Sequence, residues 1–288
     1  MRRFAVLLIG GTLLPAAAAS AQVPLLQYTF DEPSGQAVDT GSAPASNADL
    51  SGGATRSSNT PGGFGSSLDM TVDATNAQVI GDDANKLDGL GQITMTTWLN
   101  VSAYPSGNKR LVSKQEVSGS GFTFNMNAAP NDGTVGADNF KLFLAVAGAG
   151  AAGFTSTTSS ADVDANSLSA ADNWVFVAAT YDSTKAADNT YFYIGGIDTP
   201  VMQLGAARTM GQTTIDGGAG RVGVGFTDAA DTADTSVVGF QDDVRVYGTA
   251  LSLQSLDAVR LANVPEPASL GAVALGAAAL LGRRRRGA

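Results

Sequence analysis

Cysteine and histidine are both absent from the 288 residues. Without cysteine there is no disulfide, no thiolate metal site and no thiol nucleophile. Without histidine the commonest general base and the commonest transition-metal ligand are gone, and a Ser-His-Asp triad cannot form. Oxygen donors remain for metals, mostly Asp, and these suit calcium. Glutamate is scarce: only Glu32, Glu116 and Glu266 occur, and none has an acidic residue two or four positions away. Glycoside hydrolysis needs two carboxyl groups about 5–10 Å apart across the cleaved bond, and no Glu pair here is spaced to share a strand face. Basic residues are few in the body of the chain. Between Gln22 and Val264, 11 basic residues face 25 acidic ones, because Arg2, Arg3 and Arg283–Arg286 sit at the ends. A body this acidic repels phosphate backbones, which excludes nucleic acid as a partner.

What is present is alternation. Hydrophobic residues make up 44% of the chain, enough for a core. The stretch Val237–Leu251 reads VVGFQDDVRVYGTAL. Its apolar positions Val238, Phe240, Val244 and Val246 recur with period 2, the signature of a half-buried strand. Asp242 is expected on that same face, and neighbouring Asp243 on the opposite one. Gln92–Val101 alternates likewise, with Trp98 among threonines. Trp174–Asp182 is apolar on both faces, as in a strand covered on each side. Shorter strands are expected at Leu25–Phe30, Ser67–Val72, Ala77–Ile80, Arg110–Gln115, Phe122–Met126, Phe140–Val146, Tyr191–Ile194, Val201–Leu204 and Arg221–Gly225. Ala147–Ser160 reads as a weak strand or loop. Gly195-Gly196 is expected to form a tight hairpin turn. Ser252 can N-cap a short helix with Leu253 and Leu256 facing inward. Roughly twelve to fourteen short strands between Gly/Asp turns, with almost no helix, indicate an all-β, two-sheet antiparallel jelly-roll sandwich.

The two ends carry targeting signals. Met1–Ala21 has two arginines, the apolar run Phe4–Leu14 and the small-residue site Ala19-Ser20-Ala21, the pattern of a secretory signal peptide. The tail has Val264-Pro265-Glu266-Pro267, an apolar run over Ala268–Gly282, and Arg283, Arg284, Arg285 and Arg286. The run is near the lower limit of roughly 17 residues for a membrane helix, and the arginines favour the cytoplasmic side. This three-part tail resembles the PEP-CTERM sorting signal of Gram-negative bacteria. The resemblance implies processing by an exosortase near Pro265–Pro267, passage through the membrane before processing, and delivery to the envelope, cell surface or extracellular matrix. Three segments follow: a signal peptide at 1–21, a globular domain at 22–262 and the sorting signal at 263–288.

The body resembles a laminin-G-like, concanavalin A-like lectin/glucanase domain. YTFDEPSG is similar to that family's opening strand and turn, and ITMTTWLNV with RLVSKQ to its central hairpin. NWVFVAATYD with YFYIGG is similar to its tryptophan strand and following hairpin, and GFQDDVRVYGTALS to its closing strand. The family usually has His after the tryptophan matching Trp174, and Asp-Gly where this chain has Gly195-Gly196. The resemblance implies two sheets, one concave, often a calcium site, and glycan or protein binding rather than catalysis. The expected function is therefore a non-catalytic, lectin-like module that binds polysaccharide. The alternatives are a structural or adhesion protein that binds envelope proteins and, less favoured, a glycoside hydrolase. Trp98 and Tyr104 are the expected stacking faces for a sugar. Asp242, with Asp31 from the first turn, is the expected calcium ligand. Its competing role is a carboxylate bonded to backbone amides or to Arg245.

Overall fold

The computed structural model describes residues 22–63, 65–72, 76–103, 107–116, 119–128, 139–148, 153–164, 173–226 and 236–262. The expected signal peptide, Tyr104 and the sorting tail lie outside them. Short strands come first: β1 (Leu26–Tyr28), β2 (Asp49–Ser51), β3 (Thr55–Ser57), β4 (Ser67–Asp69) and β5 (Gln78–Ile80). Longer ones follow: β6 (Gln92–Ala103), β7 (Lys109–Gln115), β8 (Gly121–Ala128) and β9 (Asn139–Ala147). Then come β10 (Thr155–Thr158), β11 (Val163–Asp164), β12 (Trp174–Asp182), β13 (Thr190–Gly196) and β14 (Met202–Gln203). β15 (Val222–Val224), β16 (Val238–Tyr247) and the helix α1 (Leu253–Leu261) close the chain.

These strands make two antiparallel eight-stranded sheets. Sheet one runs β14-β13-β12-β6-β16-β4-β3, with β1 also on β16. Sheet two runs β10-β9-β8-β7-β15-β5-β2, with β11 also on β9. The main core lies between them and includes Met95, Leu99, Phe122, Phe124, Val177 and Val246, all fully buried. Burial of each such side chain contributes about 1.5–3 kcal/mol.

A second apolar layer explains why β12 is apolar on both faces. Val175, Val177, Ala179 and Tyr181 join the main core. Trp174, Phe176 and Ala178 point the other way, into a cluster with Trp98, Tyr247, Leu256 and Val259. Helix α1 thus closes the outer face of sheet one. Ser252 caps it by accepting from the Ser255 amide at 3.2 Å. Leu256 is buried as expected, but Leu253 is 47% exposed and lies outside the cluster. The expected Gly195-Gly196 turn is also corrected. Both glycines lie inside β13, paired with Phe176 and Val175, and the turn begins at Ile197. A Cβ on Gly195 would come 3.0 Å from Arg260 Cδ and 3.3 Å from the Thr199 carbonyl. Glycine is there to admit the arginine.

The small, polar segment after β1 is organised by one carboxylate. Buried Asp39 accepts from the amides of Gln27 (3.0 Å), Gly41 (2.8 Å) and Ser46 (2.9 Å), and pairs with Lys86. Tyr28 donates to the Ser46 carbonyl at 2.6 Å, from the same segment. In the stretch read as weak strand or loop, Thr155–Thr158 pairs with β9 as β10.

Arg260 is the bolt that holds α1. It is buried, donates at 2.8 Å to the carbonyls of Gly196 and Ile197, and pairs with Asp257 at 2.8 Å. Asp257 in turn accepts from the Val201 amide at 2.9 Å. Removing one partner leaves the others buried and unmet, at a cost of about 1–3 kcal/mol each. Arg260→Ala is therefore expected to lower the unfolding free energy by about 2 kcal/mol or more, measured by urea denaturation. An unchanged urea midpoint would show that α1 is held by its apolar face alone.

Candidate functional site

Strand β16 does not alternate cleanly. Its register against β6 shifts between Asp242 and Arg245, so Asp243 and Val244 together face Thr97. Asp243 takes φ +46°, and this β-bulge inserts one extra residue. The bulge corrects two expectations at once. Asp242 lies opposite Trp98, on the outer face of sheet one, whereas Val244 and Val246 point into the main core. Asp243 also turns outward: its Oδ1 accepts from Gln27 Nε2 at 3.0 Å and pairs with Arg245 Nε at 2.7 Å. Both carboxylates therefore share a face.

The bulge sits where β16 changes partners along one edge. Gln241 pairs with β4, and Val244 pairs with Tyr28 of β1. Asp31 follows β1, after Phe30 at φ +60°. Its Oδ1 accepts from the Ser66 amide at 2.8 Å, and a Cβ on Gly65 would fall 1.9 Å from that oxygen. The structure thus brings Asp31 toward Asp242. Asp242 is buried and accepts from the Asp243 amide at 2.7 Å. Burial pushes its carboxyl up to about 9; Asp243 adds to the rise and Asp31 contributes further, while the Asp243 amide and Arg245 oppose it. Among the described residues no three His, Cys, Asp or Glu side chains converge as a metal cage. The donor set is two carboxylates, all oxygen, which matches a hard cation only if backbone carbonyls or waters complete it.

Trp98 is not a stacking face. It is fully buried beneath α1, edge-on to Phe176 with ring centroids 5.5 Å apart. Thr94 and Thr96, which share its strand face, are buried too, and Thr94 is bonded to the Thr249 carbonyl and the Leu251 amide in the segment that leads into the helix.

A polar face that the strand pattern did not single out lies on sheet two. In β8, Phe122, Phe124 and Met126 point into the core, so Thr123, Asn125 and Asn127 point out. Register places Arg110 opposite Asn125 on one side and Phe143 on the other. Lys141 is opposite Asn127 and pairs with Asp162 at 2.7 Å. The next row holds Ser113, Thr123, Ala145 and Ser156. Phe226 borders it: a Cβ on Gly223 would come 2.8 Å from its ring. The Arg221 guanidinium stands 4.7 Å from the Phe226 ring centroid.

Hydrogen bonding on this face is incomplete. Thr123 Oγ1 donates to Asn125 Oδ1 at 2.5 Å. Asn125 Nδ2, Arg110 Nε and Asn127 Oδ1 are buried without a partner among the described residues. Asn125 is fully buried. Burial also holds the Arg110 guanidinium below its ordinary value. An unmet buried polar atom costs about 1–3 kcal/mol, and the outer face of sheet one has such atoms too, at Thr96 Oγ1 and Trp98 Nε1, so burial alone does not set this face apart. The sequence signal was there: asparagine is depleted in strands, yet occurs at alternate positions of an interior one.

The sandwich is similar to several solved structures. The receptor binding domain of botulinum neurotoxin mosaic serotype C/D matches at TM-score 0.52 and 14% identity, over 84% of this chain and 51% of that one. The botulinum neurotoxin serotype D ligand binding domain, in complex with N-acetylneuraminic acid, matches at 0.50 and 13%, over 84% and 51%. The botulinum neurotoxin type G receptor binding domain matches at 0.50 and 11%, over 83% and 51%. The chain thus spans about half the length of these structures, and identity this low speaks to fold alone. No curated protein matches the sequence. Residues 263–286 match the PEP-CTERM protein-sorting motif, which marks the chain for export to the envelope of a Gram-negative cell. Residues 73–256, more than half of the chain, match Laminin_G_3: this chain belongs to that family, within the concanavalin A-like lectin/glucanases superfamily.

Proposed function

We propose that the chain is an exported, non-catalytic, lectin-like module that binds polysaccharide at the cell surface or in the extracellular matrix. The support for this reading is membership of the concanavalin A-like family together with the outer face of sheet two, where the half-buried ring of Phe143 shares a face with half-buried Arg110, Asn127 and Lys141. Sugar hydroxyls both donate and accept, and the apolar face of a sugar ring stacks on an aromatic side chain. Bond cleavage has less support. Asp243 is tied to Arg245 and Gln27, and Glu32 to Arg56 at 2.8 Å, so these carboxylates are held by protein partners. Before processing, the run Ala268–Gly282 crosses the inner membrane, and an exosortase acts near Pro265–Pro267.

The calcium expectation belongs to the same proposal, with Asp31 and Asp242 as ligands. A divalent cation would favour the ionised form of Asp242, which burial and the two neighbouring carboxylates otherwise oppose. Its role there is structural, fastening the β1 turn to the β16 bulge.

Two measurements test these readings. Glycan-array binding by the full chain is expected, and Phe143→Ala should weaken it about tenfold, the effect of losing one ring contact. Retention of envelope proteins with no glycan retained would favour the adhesion role instead. For calcium, the melting midpoint should rise with the ion and fall with chelator. In chelator, the folded state keeps the Asp242 proton up to about 9, whereas the unfolded chain releases it near 3.8. The contribution of this one carboxyl is then fully present below that range and is lost as pH climbs through it. Asp242→Asn should flatten the decline and abolish the calcium shift. A midpoint indifferent to calcium would refute the ion while leaving the pH slope to burial alone.

A further inference from the structure

Lys114 is crowded by acceptors. It lies inside β7, paired with Phe122 of β8 on one side and Val222 of β15 on the other, and its side chain has no exposed surface. Four oxygens surround its Nζ. Asp88 Oδ1 and Oδ2 both accept at 2.8 Å, the Gly218 carbonyl accepts at 2.7 Å, and Asp83 Oδ1 stands 3.0 Å away. An ammonium has three protons to give, so one oxygen is left over. It is Asp83 Oδ1, which is buried and takes no hydrogen bond. Lys86, Arg245 and Arg260 are each paired with one carboxylate, whereas Lys114 has two.

The surroundings hold these groups in place. Asp88 follows the short turn Asn85–Leu87, in which Leu87 is fully buried, and its amide donates to the Asn85 carbonyl at 3.1 Å. Gly217 lies against the lysine stem: a Cβ there would come 2.8 Å from Lys114 Cγ. The Gly217 amide donates to Asp88 Oδ1 at 2.8 Å. One oxygen of the carboxylate is thus polarised, its carbon faces a nitrogen, and a spare base sits beside that nitrogen. Lys114 and most of Asp88 are shut off from water, while the Asp83 side chain is 39% exposed and opens a way out.

We propose that Lys114 and Asp88 join as an intramolecular amide, a cross-link between β7 and the connection from β5 to β6. This stands apart from the lectin-like reading and does not depend on it. The Nζ–Cγ bond forms and the Cγ–Oδ2 bond breaks. Two of the three Nζ protons pass through Asp83 to Oδ2, which leaves as water, and Asp83 is returned ionised. The Gly217 amide holds the charge that gathers on Oδ1 in the tetrahedral intermediate. Nothing is oxidised or reduced, and no other reactant is consumed. Fixed contact of this kind raises the effective concentration of a reacting group to about 10⁵ M or more, which favours the amine over water. The bond closes a loop across a separation of 26 residues. In an exported chain without cysteine it supplies the restraint that a disulfide gives elsewhere.

The test digests the denatured full chain with trypsin. Cleavage is expected after Lys86, Lys109 and Arg110, and an acylated Lys114 is no longer a cleavage site. The cross-link predicts one branched product, fragments 87–109 and 111–141 joined, lighter than their sum by one water. Release of 87–109 at its full mass, with Lys114 cut, would overturn the proposal and leave an ion pair. Loss of water confined to 87–109, with Lys114 still cut, would mark ring closure at Asp88-Gly89 and would overturn it equally. Lys114→Arg keeps the charge but withholds the amine, so 87–109 should come free. Asp83→Ala, with its fold checked by circular dichroism, should form the branched product about a hundredfold more slowly after synthesis. An unchanged rate in that variant would overturn the proton path through Asp83.

Discussion

The bulge at Asp242–Val244 governs sheet one. β16 is an interior strand with β6 on one side and two successive partners, β4 and β1, on the other. A straight strand would carry one alternation through its whole length. One extra residue at Asp243 reverses the alternation midway, so that Gln241 points inward on one side of the bulge and Val244 and Val246 point inward on the other. Gln241 reaches across the sandwich and donates to the Leu111 carbonyl of sheet two at 2.8 Å. The same extra residue turns Asp242 and Asp243 to one face and leaves Arg245 to neutralise the second of them. Edge exchange, inter-sheet contact and the buried acid pair all follow from one left-handed residue.

Much of the fold was legible because its signal is local. Strand alternation located β6 to β9, β12 and β13 to within a residue or two but overran β4 and missed β2 and β3, and the two-faced apolarity of Trp174–Asp182 correctly announced a layer on each side. What failed was whatever depends on the third dimension. Trp98 among threonines looks like an open face until a helix more than 150 residues later lies over it. Asp242 and Asp243 look opposed until a bulge is known, and bulges leave little trace in composition. Gly195-Gly196 has the composition of a turn, but its glycines answer to the Arg260 side chain. The polar face of sheet two was written plainly in FTFNMN, yet period-2 reasoning treats any polar residue opposite a core residue as solvated. Its meaning comes from neighbours on β7 and β9 that the register alone puts beside it.

The two outer faces of the sandwich have opposite fates. That of sheet one is sealed by α1, whose last described residues lead into the sorting motif at residue 263. That of sheet two carries the half-buried side chains of Arg110, Asn127, Lys141 and Phe143. With sheets packing about 10 Å apart and a helix adding a further layer of similar depth, the last described turn of α1 lies about 20 Å from the outer face of sheet two. Arg260 bolts that turn to the carbonyls of Gly196 and Ile197. The described chain therefore ends on the side of sheet one, immediately before the matched sorting motif, and a single buried guanidinium fixes that end against the sandwich.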